Sequence, residues 1–375
     1  MSEIKNIVID DAVPLANDLF QSLGQVTTLP GKDIAQHHLK DADAVIIRSR
    51  TQINARLLDA TRVGFVGSTV VGLDHIDQTY LKQRGITFYS AQGCNANSVA
   101  EYVITNIVNL AVSKGFQLAN TRLGIIGVGH VGKRVADKAA ALGMTLLLND
   151  PPRVANENLT GFVDLDTALS ADIITVHTPL KYDGSHPTYH LLSADKLSQI
   201  QPHQILINAA RGGIIDEQAW ANTPTQANII DCWENEPNID ETLYQTANIA
   251  TPHIAGHSLD AKLAGSIMVF KALCQHWQTP PDINIDARLP PPPAPINTQT
   301  TGDFETDLQR VLAQCYRPEA DDAAIRGKNT LETHKKYEYY RRHYPIHREW
   351  PQHSVHPSGD LKFDKILNLL GFQTL

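Results

Sequence analysis

The sequence has few of the features that identify secreted, membrane-spanning or metal-stabilised proteins. Only four cysteines occur in 375 residues, and none of them belongs to a Cys-x-x-Cys pair: Cys94, Cys232, Cys274 and Cys315. Such spacing is typical of reduced thiols in a cytoplasmic protein. No apolar run reaches the roughly 18 residues that a transmembrane helix requires. The first ten residues lack a basic segment followed by an apolar one, so we expect no secretory signal.

Positive charge is also scarce, because 32 lysines and arginines face 40 acidic residues, for a net charge of −8. An acidic chain is a poor candidate for binding nucleic acid or an anionic membrane, and we expect neither partner. Residues 335–342 mix basic and aromatic side chains. We interpret this stretch as a subunit surface, or as a source of arginines for a substrate phosphate, rather than as a nucleic-acid site.

Metal binding is not expected either. His253 and His257 are four residues apart, as metal ligands on a helix can be, but Pro252 and Gly256 favour a loop and no third ligand is evident. His75 and His177 are the other histidines that we considered for proton transfer, and we interpret both as structural.

The apolar and charged patterns that are present predict an α/β protein. Apolar residues make up 42% of the chain and charged residues 19%, which is enough for a packed core. In the first third, short apolar runs at 4–9, 44–47 and 65–66 alternate with helical stretches at 15–23 and 53–60. Strands that alternate with helices predict a parallel sheet covered by helices.

A change in pattern near residue 97 predicts the first domain boundary. Ser98 and Glu101 fit a capping box at the start of a long helix to about residue 112. A second strand–helix series covers 121–254, and an amphipathic helix covers 258–277. The proline run at 289–295 predicts a stiff linker to a separate module. That module should end in a helix at 360–370, stopped by Gly371.

A dinucleotide site is predicted where a strand leads into Gly-x-Gly-x-x-Gly. Gly127 permits the tight turn, Gly129 lets the backbone approach a pyrophosphate, and Gly132 lets the next helix pack closely. The start of that helix, at His130 and Val131, offers free N–H groups to the phosphates. Asp150 follows the next strand and can accept hydrogen bonds from the adenosine ribose. A carboxylate there would repel a 2′-phosphate, so NAD is favoured over NADP.

Three further strand ends carry the side chains that 2-hydroxy acid oxidation needs. Arg211, Glu236 and His253 each follow an apolar strand, and ligands of open parallel sheets bind beyond these strand ends. A histidine can take the hydroxyl proton, and a carboxylate beside it fixes the tautomer. Arginine can grip the substrate carboxylate and polarise the developing carbonyl. Each residue also has a non-catalytic interpretation: Arg211 as a surface arginine, Glu236 as an acid at the start of a helix, and His253 as a loop histidine. These interpretations are less favoured because all three residues follow strands of the same predicted sheet.

On these segments the chain resembles the D-isomer-specific 2-hydroxyacid dehydrogenase family. The matching stretches are 127–132, 177–180, 208–216, 231–237 and 251–256. The resemblance implies a Rossmann NAD-binding domain at 97–256 and a flavodoxin-like substrate domain at 1–96 and 257–289. It also implies a small C-terminal α/β dimerisation module at 290–375, and hence a homodimer.

The resemblance also assigns roles to single residues. Catalysis falls to Arg211, Glu236 and His253. The implied NAD contacts, beyond the glycine-rich turn, are Asp150, Thr178, Ala209, Ala210, Arg211, Asp231 and Gly256. The implied substrate contacts are Arg48, Ser49, Val70, Val71, Gly72 and His257. The branch of the family that the chain most resembles has threonine at the position of Val70 and tyrosine at that of His257.

The expected substrate is a small phosphorylated 2-hydroxy acid. We hypothesise that Arg48 or Arg50, with a C-terminal arginine such as Arg341, holds its phosphate. One alternative is another dehydrogenase of the family, acting on 3-phosphoglycerate, glycerate or lactate. A second is a non-catalytic protein that senses NAD and binds a partner.

Overall fold

The computed structural model describes residues 4–375, which divide into two compact units. The first unit contains the chain up to Asn95 together with Leu259–Pro291, and the second contains Ala96–Ser258 and Pro292–Leu375. The chain therefore passes from one unit to the other after Asn95, after Ser258 and after Pro291. Within residues 4–375, no helix is both long and apolar enough to cross a membrane.

The first unit is a parallel five-stranded sheet with helices on both faces. Its strands are β1 (Asn6–Asp10), β2 (Gln25–Leu29), β3 (Ala44–Ile47), β4 (Phe65–Ser68) and β5 (Thr87–Ser90). Its helices are α1 (Ala16–Phe20), α2 (Gln36–Leu39), α3 (Ala55–Leu58), α4 (Gln78–Gln83) and, numbered along the whole chain, α12 (Leu259–His276). The strand order β2-β1-β3-β4-β5 is the flavodoxin-like order, which confirms the predicted fold.

Apolar side chains of one strand point alternately to the two faces of this sheet, so both faces are apolar. Ile7 and Ile9 of β1 join the apolar cluster under α1 and α12, whereas Val8 between them joins the opposite cluster under α2, α3 and α4. This is the two-residue period of a strand. The helices predicted at 15–23 and 53–60 are shorter in the structure. Leu15 has a left-handed backbone, and Ile53 forms a β-bridge with Ile76.

The second unit contains the predicted Rossmann sheet. Its strands are β6 (Arg122–Ile126), β7 (Thr145–Asn149), β8 (Ile173–Val176), β9 (Ile205–Asn208), β10 (Ala227–Ile230) and β11 (Ile249–Ala250). Its helices are α5 (Ala96–Lys114), α6 (His130–Ala141), α7 (Pro151–Glu157), α8 (Leu165–Leu169), α9 (Ala194–Leu197), α10 (Glu217–Ala221) and α11 (Glu241–Thr246). The order is β7-β6-β8-β9-β10-β11, so the strand order reverses between β6 and β8, where dinucleotides bind in such sheets.

The C-terminal segment, residues 292–375, belongs to the second unit rather than forming a third one. It contains α13 (Phe304–Cys315), α14 (Pro318–Ile325), α15 (Thr330–Arg342), α16 (Leu361–Leu370), β12 (Ser354–Val355) and β13 (Gln373–Thr374). Leu308 and Leu367 share one apolar core with Ile104 of α5 and Val135 of α6. The proline run does break regular structure, but the apolar faces beyond it are buried against the NAD-binding half. Helix α16 ends at Gly371 as predicted, with a φ of 114°.

The capping box predicted at Ser98 and Glu101 is wrong. Helix α5 begins at Ala96, so Ser98 lies inside it. Its hydroxyl donates to the Ala255 carbonyl at 2.7 Å, and Glu101 accepts a hydrogen bond from the Trp350 backbone N–H at 2.9 Å. Both side chains resemble a local cap in the sequence but serve contacts with distant parts of the second unit.

Candidate active site

The glycine-rich turn, residues 127–132, joins β6 to α6 and is shaped by close backbone contacts. Gly127 has a φ of 87°, and a Cβ there would lie 2.7 Å from the backbone of His177 and Thr178. A Cβ on Gly132 would lie 2.0 Å from the Gly127 carbonyl oxygen. By contrast, a Cβ on Gly129 would meet nothing within 4 Å. The turn thus presents bare backbone to open space at the N-terminus of α6, which suits a pyrophosphate.

Asp150 holds the turn from the neighbouring strand. Its carboxylate accepts hydrogen bonds from the Val128 N–H at 2.8 Å and from the Arg153 N–H at 3.1 Å. The Arg153 guanidinium is occupied, since it donates to Glu157 at 2.7 and 2.8 Å and to the Val128 carbonyl. A 2′-phosphate would therefore face a carboxylate and an arginine that is already paired, which favours NAD.

Thr178 supplies a second observation that fits a ligand at this strand edge. It follows β8, and its buried hydroxyl oxygen has no hydrogen-bond partner among residues 4–375. Buried polar groups are normally paired, so an orphaned one indicates a missing partner. The loop after β9 carries Ala209, which is buried, and Ala210, whose N–H donates to the Asn208 side chain at 3.1 Å. These residues fit NAD at the place where we predicted it.

His253 and Glu236 form a hydrogen-bonded pair. The Nδ1 atom of His253 lies 2.9 and 3.1 Å from the two carboxylate oxygens of Glu236. An ionised carboxylate only accepts, so Nδ1 carries the hydrogen and Nε2 can accept a proton. Burial would raise the pKa of Glu236. The charge and hydrogen bond of His253, the Trp233 N–H and the charge of Arg341 outweigh burial, and the pKa is lowered. Glu236 therefore remains ionised beside the ring.

Arg211 lies close to this pair. It comes three residues after β9, is half-buried, and its Nη1 donates to the Ala210 carbonyl at 2.8 Å. Its charge acts on Cys232, whose sulfur lies within 4.8 Å of ligand atoms of Glu236 and His253. Burial raises the pKa of the Cys232 thiol well above its usual range. This disfavours the thiolate that a metal would need.

The histidine loop, residues 251–258, is held in place by Asp231. This buried carboxylate accepts hydrogen bonds from the Thr251 hydroxyl at 2.7 Å and from the N–H groups of Ile254 and Ala255 at 2.8 and 3.0 Å. His253 has a φ of 54°, a left-handed conformation that only surrounding contacts can enforce. Asp231, predicted to contact NAD, thus has a clear role in shaping the loop that also carries Gly256 and His257.

The candidate substrate residues of the first unit follow β3 and β4. Arg48 donates to the Ala12 carbonyl at 3.3 Å, and Ser49 is exposed. The N–H groups of Val70, Val71 and Gly72 have no acceptor among the described residues, so they are available to a carboxylate. Their carbonyls are engaged instead, since Val70 accepts from the Ser90 hydroxyl at 3.0 Å and Val71 from Gln92 at 2.7 Å.

Sequence reasoning missed several residues that lie beside the candidate site residues within each unit. Lys262, on α12, is half-buried; burial and the charge of Arg48 lower its pKa to about 8. Glu217, on α10, is buried and accepts from the Glu234 N–H at 2.7 Å, which steadies the loop leading to Glu236. Asn208 donates to the carbonyls of Arg211 and Cys232. Of these, only Asn208 lies in a recognisable stretch of sequence.

The rival histidines are poorly suited to proton transfer. Burial lowers the pKa of His177 to about 3 and also lowers that of His75. Both rings therefore remain neutral near physiological pH, which favours the structural interpretation. His257 packs edge-on against Tyr344, with 5.8 Å between the ring centroids.

Comparison with known proteins agrees with this geometry. The family model "D-isomer specific 2-hydroxyacid dehydrogenase, NAD binding domain" matches residues 95–255. The chain is 66% identical, over the full length of both chains, to erythronate-4-phosphate dehydrogenase of Hydrogenovibrio crunogenus. It is 50% identical to that of Ruthia magnifica, over 92% of this chain and 96% of the relative.

Solved structures show the same fold. An NAD-bound 3-phosphoglycerate dehydrogenase of Entamoeba histolytica superposes with a TM-score of 0.62 at 23% identity. The superposition covers 74% of this chain and 96% of that one.

Proposed function

Because the chain belongs to the erythronate-4-phosphate dehydrogenases, within the D-isomer-specific 2-hydroxyacid dehydrogenase family, we propose that it oxidises 4-phospho-D-erythronate at C2. The product is 2-oxo-3-hydroxy-4-phosphobutanoate, and the step serves pyridoxal phosphate (vitamin B6) biosynthesis. The observation that carries the proposal is the His253–Glu236 pair, in a chain that matches such an enzyme over its whole length. The enzyme is an NAD-dependent oxidoreductase.

Proton transfer in this proposal belongs to His253. Its Nε2 accepts the proton of the C2 hydroxyl, while its Nδ1–H continues to donate a hydrogen bond to Glu236. The charge of Glu236 stabilises the imidazolium that forms. NAD, when bound, supplies the hydride acceptor. Asp150, Thr178 and the glycine-rich turn are proposed to hold that cofactor, with Ala209, Ala210, Asp231 and Gly256. Arg211 is proposed to grip the substrate carboxylate and to polarise the carbonyl that develops at C2.

The substrate is proposed to be recognised by backbone N–H donors and by two neighbouring cationic side chains. The free N–H groups of Val70, Val71 and Gly72 would receive the substrate carboxylate, and Ser49 a hydroxyl. Arg48 and Lys262 are neighbouring cations, and the charge of Arg48 adds to burial in lowering the pKa of Lys262. A phosphate dianion between them would relieve this repulsion, so we propose them as phosphate ligands.

Two positions test how far specificity follows the relatives. Val70 removes the hydroxyl that the resemblance leads us to expect. His257 replaces a tyrosine with a ring that can donate a hydrogen bond to a phosphate. We propose that both are tolerated variations, because Val70 would contribute through its N–H and His257 keeps a polar ring beside Tyr344.

The experiment is NADH absorbance with purified protein, NAD and a set of acids: 4-phospho-D-erythronate, unphosphorylated erythronate, 3-phosphoglycerate, glycerate and lactate. We expect kcat/KM for the phosphorylated erythronate to exceed that of each other acid by at least about a hundredfold, because a site built to bind a polar group discriminates against substrates that leave its own polar groups unpaired. Preference for another acid would replace the proposed substrate. Absence of turnover with every acid would favour the non-catalytic, NAD-sensing alternative.

We further propose a homodimer formed through the C-terminal segment, and a cytoplasmic location in line with four cysteines that form no disulfide. Large apolar side chains are exposed in this segment: Leu331, Tyr339, Ile346, Leu361, Leu369 and Leu375. Large exposed apolar side chains favour association where they lie together on one surface. Light scattering should give about twice the 41.3 kDa chain mass. Ile346→Glu with Leu369→Glu should lower it, whereas the control Tyr182→Glu, at an exposed tyrosine elsewhere, should not.

A further inference from the structure

The C-terminal segment holds both ends of the histidine loop through two carboxylates, of which Asp322 is partly buried and Glu349 is buried. Before the loop, the Ala250 N–H at the edge of the sheet donates to Asp322 of α14 at 2.7 Å. At its end, the Ser258 hydroxyl donates to Glu349 at 2.6 Å. Between these points Tyr344 packs on His257. Residues 322, 344 and 349 thus fix a loop that also has Asp231 at its centre.

Glu349 also contacts the start of helix α5, in addition to the histidine loop. Its second oxygen accepts from the Asn97 side chain at 2.7 Å, and Asn97 also donates to Glu101 at 2.7 Å. Asn97 follows one point where the chain passes between its units, and Ser258 precedes another. Glu349 is buried, so its carboxylate depends on these donors rather than on water. A single side chain therefore joins two segments, at Asn97 and at Ser258, that are far apart in sequence.

We propose that Glu349, acting through Ser258, is a positioning residue for catalysis: it fixes the histidine loop so that His253 and His257 keep their reactive placement. The C-terminal segment is then part of the active-site architecture of its own chain, in addition to any role in association. His253 is held in a left-handed conformation, and a loop released at one end can relax away from it. Small displacements of a proton acceptor are costly for kcat.

The test is a double-mutant cycle of Ser258→Ala, Glu349→Ala and their combination, in the full-length protein. Each single variant should lower kcat by about tenfold or more while the dissociation constant for NAD changes by less than about threefold. The kcat of the double variant should be close to that of the more impaired single variant, because Ser258 and Glu349 act on the loop through one shared contact. The primary isotope effect on kcat with C2-deuterated substrate should rise, since proton and hydride transfer become slower.

A matched control comes from the same segment. Asp364, also buried, accepts from the Ser358 N–H at 3.0 Å and touches neither the loop nor Asn97. Asp364→Asn should lower the Tm but leave kcat and the isotope effect unchanged. The proposal is overturned if Ser258→Ala and Glu349→Ala keep wild-type kcat. It is also overturned if Asp364→Asn, at a similar loss of Tm, loses as much kcat as they do.

The inference rests on the proposed dehydrogenase function, yet the two can fail separately. The cycle is measured with whichever 2-hydroxy acid the wild-type enzyme oxidises best. If that acid is not 4-phospho-D-erythronate, the proposed substrate is wrong while the ratios of kcat within the cycle still decide the role of Glu349.

Discussion

The glycine-rich turn and the histidine loop both follow strands of one parallel sheet, yet they are constructed in opposite ways. The turn consists mainly of backbone packed on backbone: Gly127 packs on the residues that follow β8, and Gly132 packs on Gly127. Asp150, at the end of the adjacent strand, adds a hydrogen bond to the Val128 N–H. The loop is held by side chains, with carboxylates at positions 231, 236, 322 and 349 arriving from distant parts of the chain. Binding of a dinucleotide needs exposed N–H groups, whereas proton transfer needs an oriented ring. The two constructions follow from these needs.

The largest effect should come from breaking the proton-transfer pair. His253→Ala removes the only group that we assign to take the hydroxyl proton, so kcat should fall by about a thousandfold or more. Glu236→Gln keeps the shape but removes the charge that stabilises the imidazolium, and should cost about a hundredfold. Steady-state kinetics measures both losses. Titration calorimetry with NAD should show affinities close to wild type. A parallel loss of NAD affinity would mean that the histidine loop also contributes to NAD binding, so that its role is not separate from that of the glycine-rich turn.

The next effect separates two glycines of the turn. Gly129→Ala adds a methyl group in open space, so the free protein should keep its Tm while NAD affinity falls by about tenfold or more. Gly132→Ala forces a methyl group against the Gly127 carbonyl, so it should also destabilise the free protein, by about 2 kcal/mol or more. Calorimetric titration and thermal unfolding are the measurements. If the Gly129→Ala variant binds NAD with wild-type affinity, the pyrophosphate does not approach the Cα atom of Gly129.

A smaller effect, and one that depends on pH, should come from Glu217. Burial raises the pKa of Glu217 to about 8, from an ordinary value of 4.5. As the pH rises from about 4.5 to about 8, the unfolded chain loses this proton but the folded chain retains it, so the folded state loses stability. Glu217→Gln lacks this loss and should gain about 2–3 kcal/mol relative to wild type between pH 5 and pH 8.

Urea unfolding at these two pH values checks the prediction. The exposed Asp195 of α9 is the control: Asp195→Asn should leave the pH dependence of unfolding as it is in wild type. If wild type and Glu217→Gln lose stability equally with rising pH, Glu217 is ionised in the folded protein.

The same contrast explains what could be predicted from the sequence. The turn, Asp150 and the parallel sheets were predictable because short-range spacing encodes them. The His253–Glu236 pair was predictable because both residues follow strands of one sheet. The contacts of Asp322 and Glu349 were not, since 72 and 91 residues separate them from Ala250 and Ser258. Ser98 was misjudged for a related reason: a local rule assigned it to a cap, whereas packing against the histidine loop decides its partner.

The proline run at 289–295 likewise led to the prediction of a separate C-terminal module, because a local feature was used to infer a long-range arrangement. Its stiffness correctly predicts a break in regular structure, but stiffness does not determine what the following residues pack against. The apolar faces of α13 and α16 determine that, by joining the core around α5 and α6.

The central claim is that this chain removes hydride from C2 of a phosphorylated 2-hydroxy acid. The most direct measurement is mass spectrometry of NADH formed from 4-phospho-D-erythronate deuterated either at C2 or at C3. We expect one deuterium per NADH from the C2-labelled acid and none from the C3-labelled acid, with the wild-type enzyme. Unlabelled NADH from the C2-labelled acid, or labelled NADH from the C3-labelled acid, would contradict the account.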